Sequence, residues 1–108
     1  MSHAFDSVRD HSIPKKEAVS LVKNFRAKAE AGAHHASAFN RSAFELLLAQ
    51  PGAEGIRIYR AHHEDGSPTM VLVAVDAKGE DLQGPAALCM QNTTDCPPFC
   101  GKLGLTQE

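Results

Sequence analysis

The sequence predicts an α+β domain: two N-terminal helices packed on a small antiparallel β-hairpin or meander, then an irregular C-terminal tail. Three observations carry this. Apolar residues recur at helical spacing through the first half of the chain. The period then changes to strict alternation and to one continuous apolar run, separated by turn clusters. A chain of 108 residues, 43% hydrophobic and 22% charged, has the composition and size of one ordinary globular domain.

The elements follow in order. Residues 1–12 are polar and unpatterned and are expected to form a mobile arm, leaving 13–108 as the domain. Pro14 suits the first turn of a helix predicted over 14–31, with Gly32 as its C-cap. Ala18, Leu21, Val22, Phe25 and Ala29 make its apolar stripe. Lys15, Lys16, Lys23 and Arg26 fall beside that stripe and read as a solvated flank, with binding of an anionic partner or phosphate as the alternative. After a polar connection, "AHHASAFN", Ser42 and Glu45 have capping-box spacing for a second helix over about 41–50. Its apolar face holds Phe44, Leu47 and Leu48.

In "GIRIYRAHH", Ile56 and Ile58 alternate with Arg57 and Tyr59, as in a half-buried strand. "EDGSP" is a turn, and "TMVLVAVD" is apolar without alternation, which predicts a strand buried on both faces. "DAKGED" is a second turn and "AALCMQ" a third strand. Phe25, Leu47, Ile58, Leu72 and Val73 are the expected core.

This arrangement leaves a narrow sheet with open edges. One layer of helices covers one face of a strand that needs cover on two. The sequence therefore predicts a homodimer, with the sheet at the interface. A net charge of −2 gives no basis for nucleic-acid binding. No apolar run approaches the roughly 18 residues of a membrane span. The N-terminus has no apolar signal segment, so the expected compartment is the cytoplasm, where thiols stay reduced.

Three stretches occur in the order "GIRIYRA", "VLVAVDAKGEDL" and "CPPFCG". Together they resemble a group of small uncharacterised bacterial proteins with GIRIY, VLVxVDxxGxDL and CPPxC segments. The resemblance spans about residues 45–101 and brings no activity, cofactor or catalytic residue. It implies that the cysteine segment belongs to the plan of the domain.

Read by itself, "DCPPFCG" leaves several chemistries open. Run as polyproline II, it would hold the Cys96 and Cys100 Cα atoms roughly 12 Å apart. A disulfide needs about 4.4–6.8 Å. Pairing requires a turn at Pro98-Phe99, with Phe99 expected to pack inward as its anchor. Cys96 and Cys100 fit zinc-ligand spacing, with Cys89 as a third ligand and His63 as a fourth. They could also form a redox pair, a structural disulfide, or simply two small hydrophobes around a rigid turn. The histidines occur in two adjacent pairs, His34-His35 and His62-His63. Neighbouring side chains diverge, so a site needs one histidine from each pair, or one with the cysteines. No phosphate-loop, nucleophile-elbow or HExxH motif is present. The function read from the residues is an oligomerising or binding module without an evident catalytic site. The alternative is a zinc-binding or thiol-redox protein built on the cysteine segment.

Overall fold

The computed structural model describes residues 4–102 and 104–106. It is an α+β structure with two helices and two antiparallel sheets. The elements are α1 (Lys15–Lys28), β1 (Ala36–Ala38), α2 (Arg41–Leu48), β2 (Gly55–His62), β3 (Pro68–Val75), β4 (Cys89–Met90), β5 (Thr94–Cys96) and a 3-10 turn at Gly104–Thr106. The larger sheet has the order β2-β3-β4, and the smaller pairs β1 with β5.

The hairpin forms where the change of period places it. β2 and β3 pair along their whole length, from Gly55 opposite Val75 to His62 opposite Pro68. β4 adds only two residues, with Met90 opposite Leu72 and Cys89 opposite Val73. Ile56, Leu72, Ala74, Met70 and Met90 share the inner face and meet Leu47 from α2. Leu47, Leu72 and Ala74 are the buried centre of this cluster.

Among the described residues the second face of β3 is fully buried at its two ends. At one end Val75 is buried beside Gly55, and the ring of Phe5 lies against both Gly55 and Gly79. Gly79 has φ +81°, and a Cβ there would stand 2.6 Å from the Cβ of Phe5, so glycine is required twice over. At the other end Thr69 is buried. Between them Val71 and Val73 are half-buried, beside exposed Tyr59 and Cys89.

The turn after β3 is organised by Asp76, whose Oδ1 accepts from the N–H groups of Lys78 and Glu80 at 2.9 and 3.0 Å. Arg57 ties it back to β2 by donating to Asp81 at 2.5 Å and to the Gly79 carbonyl at 2.7 Å. Tyr59 also donates to Asp81. The Tyr59 hydrogen bond is the largest influence holding the Asp81 carboxyl below its ordinary value; partial burial opposes it and Arg57 assists.

Several expectations are corrected. Phe25 and Ile58 are 50% and 59% exposed, not core. The main neighbour of α1 is the 3-10 turn, while α2 is the helix that meets β2 and β3. On α1 only Val19 is fully buried, so the covered stripe is narrower than the apolar spacing suggests. Ile58 lies on edge strand β2. The cap of α2 is Asn40, which accepts from Ala43 N–H at 3.1 Å, rather than the Ser42/Glu45 box. Ser42 itself donates to Asn40. The connection and the tail, expected to lack regular structure, pair with each other as β1 and β5.

Candidate functional site

The small sheet brings two distant segments together around one carboxylate. β1 pairs with β5 so that Ser37 stands opposite Asp95 and Ala36 opposite Cys96. His35 N–H donates to the Cys96 carbonyl at 2.8 Å, extending the pairing by one bond.

Asp95 lies where β1, β5 and the open end of the hairpin meet. Its side chain is 15% exposed. Oδ1 accepts from Ser37 Oγ at 2.6 Å and from Thr69 Oγ1 at 3.2 Å. Oδ2 lies 3.3 Å from His63 Nε2. His34 Nε2 is 2.9 Å from Ser37 Oγ and 3.8 Å from Asp95 Oδ1. Burial pushes the Asp95 carboxyl up, but hydrogen bonds from Ser37, His63 and Thr69, with the nearby His34, outweigh it and hold the carboxyl below its ordinary value.

One histidine from each adjacent pair, His34 and His63, thus converges on one group. Beside them opens a cleft of about 450 Å³. Its polar side includes His34, His63 and Asp95, and Pro97, Pro98 and Phe99 line it as well. The spacer between the two cysteines is therefore part of the cleft.

Cys96 and Cys100 are joined by a disulfide. Both X-Pro bonds of the segment are cis. The two Cα atoms lie 4.6 Å apart, against the roughly 12 Å of an extended run. Phe99 N–H donates to the Asp95 carbonyl at 3.0 Å and closes the turn. Phe99 is not its inward anchor: the side chain is 71% exposed. The stabilities should follow. Phe99→Ala should cost less than about 1 kcal/mol, since little contact area is lost. Replacing both Cys96 and Cys100 by serine should cost about 2 kcal/mol, the entropy of a cross-link closing so short a loop. Urea melts without reductant test this ranking, and a larger cost for Phe99→Ala would refute it.

The four residues with zinc-ligand potential are not gathered. Cys89 sits exposed on β4 as a free thiol, His63 bonds Asp95, and the other two sulfurs bond each other. A thiolate site at Cys96 and Cys100 requires that bond to be reduced first. Among the described residues no group of three His, Cys, Asp or Glu side chains is placed to hold a metal ion. No helix among them is long and apolar enough to cross a membrane. Sequence reasoning missed Asp95, Ser37 and Thr69. The only signal was that Asp95 abuts the cysteine segment.

No family model, no curated protein and no solved structure matches the chain.

Proposed function

We propose that the chain is a small binding module that works as a homodimer, with the cleft over Asp95 as its ligand site. The observation that carries the dimer is surface area. The chain exposes 8306 Å². A compact monomer of 11.6 kDa exposes about 5,800 Å². The radius of gyration, 15.4 Å, likewise exceeds the roughly 13 Å of a compact domain of this length. The surplus, about 2,500 Å² over the whole chain including its exposed N-terminal arm, lies at the upper end of the roughly 1,000–2,500 Å² that one subunit of an obligate homodimer buries.

Val71 and Val73, half-buried beside exposed Tyr59, form the apolar strip that a second copy would cover. The net charge of −2 offers no strong complementarity to a highly charged partner, which leaves an apolar self-contact as the better fit. Ligand binding is supported by the cleft itself: a carboxylate with four neighbouring polar side chains beside an exposed aromatic ring.

Light scattering at tens of micromolar protein should give twice 11.6 kDa. Val73→Lys should give the single-chain mass with the fold intact by circular dichroism, because a charge would then face the partner's strip. A wild-type monomer at that concentration would refute the dimer.

A further inference from the structure

We propose that the cleft over Asp95 is a hydrolytic site in which His63, oriented by Asp95, acts as general base for attack of water on a small ester. The inference rests on reading the cleft as a ligand site and is independent of the dimer.

The argument begins with the proton positions. Asp95 Oδ2 is a carboxylate acceptor 3.3 Å from His63 Nε2, so the bond between them forms in the tautomer that carries its hydrogen on Nε2. In the neutral ring of that tautomer Nδ1 is the unprotonated nitrogen. A carboxylate that fixes one imidazole nitrogen and leaves the other free is the pairing that orients a general base. Asp95 is itself held by Ser37 and Thr69 on Oδ1, so Oδ2 is left to His63.

The hydroxyls that line the cleft are engaged elsewhere: Ser67 donates to Asp65 at 2.6 Å and Thr93 to the Ala38 carbonyl at 2.8 Å. Ser37 donates its proton to Asp95 at 2.6 Å, and its oxygen lies 2.9 Å from His34 Nε2. A hydroxyl whose proton is held by a carboxylate and whose oxygen accepts from an imidazole is not poised to attack. Water is. His63 is 42% exposed, so water reaches it. The exposed ring of Phe99, with Pro97 and Pro98, gives the cleft an apolar surface for the planar part of an ester.

In the step itself Nδ1 takes a proton from water as the oxygen bonds to the carbonyl carbon. The ester C–O bond then breaks, and the departing oxygen receives the proton back from the imidazolium. No redox partner or cofactor enters the balance.

The test uses the full chain and 4-nitrophenyl acetate, read as 4-nitrophenolate release. Wild type should turn over saturably, about a hundredfold faster than His63→Gln, the low end of what a positioned base contributes. His63→Gln changes a side chain that is 42% exposed, and its melting curve checks that it folds. Nitrogen NMR of wild type should show His63 protonated at Nε2 and bare at Nδ1. Equal rates in the two proteins, or the opposite tautomer, would overturn the proposal. The non-hydrolysable ketone 4-nitroacetophenone separates the two failures. Shifts at Phe99 and Thr93 without ester turnover would leave the binding site standing and remove the activity. No shifts and no turnover would remove both.

Discussion

Replacing Leu72 by alanine should lower the unfolding free energy by about 3 kcal/mol, within the range for large-to-small changes at a filled core position. Leu72 is 1% exposed and sits on the central strand of the larger sheet. It stands between Ile58 on β2 and Met90 on β4, against Leu47 from α2. The cavity left behind would be lined by side chains from three elements, which cannot all move in to fill it. α2 has only 8 residues, too short to hold itself as a helix, so its place depends on the same contact. Ile58→Ala, directly opposite on the edge strand, should cost under about 1 kcal/mol because most of that side chain already faces water. Urea denaturation at one fixed protein concentration measures both, since the proposed dimer couples stability to concentration. A cost below about 1 kcal/mol at Leu72 would mean that the core is centred elsewhere.

What could be read from the sequence follows how local its cause is. The hairpin was legible because alternation in β2, the apolar run of β3 and the Asp-Gly between them are all local signals. Leu47 was legible as a core residue because a short amphipathic helix has one place to put its apolar side. Phe25 and Ile58 were not, since periodicity says which way a side chain points and not whether anything lies there. The β1-β5 sheet was invisible for a different reason. "ASA" and "TDC" carry no strand pattern, and their register joins residues 58 positions apart. The site shares that limit. Adjacent histidines diverge, which leaves one from each pair or one with the cysteines as the options for a site, and the structure places His34 and His63 near one carboxylate. The carboxylate they meet on could be found only once the small sheet had placed β5 beside β1.

Asp95→Asn should cost about 2–3 kcal/mol near neutral pH, and the cost should shrink in acid. An amide of the same shape keeps one carbonyl acceptor but turns an NH2 toward groups that all donate. Of these, Thr69 is buried and also receives a hydrogen bond from Gln91, so its hydroxyl has little freedom to find another acceptor. Ser37 and His63 lose a charged acceptor, and hydrogen bonds to charged groups contribute about 1.5–3 kcal/mol each before the surroundings relax. The pH dependence has a definite sign. Folding lowers the carboxyl below its ordinary value of 3.8, so the native state holds this proton less tightly than the unfolded chain. The resulting stability is fully present above the unfolded value and is lost as pH falls through the lower folded value. Melts of wild type and Asp95→Asn, paired from pH 7 to pH 2, should therefore begin to converge only below about pH 4 and close further as pH falls toward 2. A difference as large at pH 2 as at pH 7 would show that the charge is not what holds β1, β3 and β5 together at this point. The tie would then rest on the shape of the side chain alone.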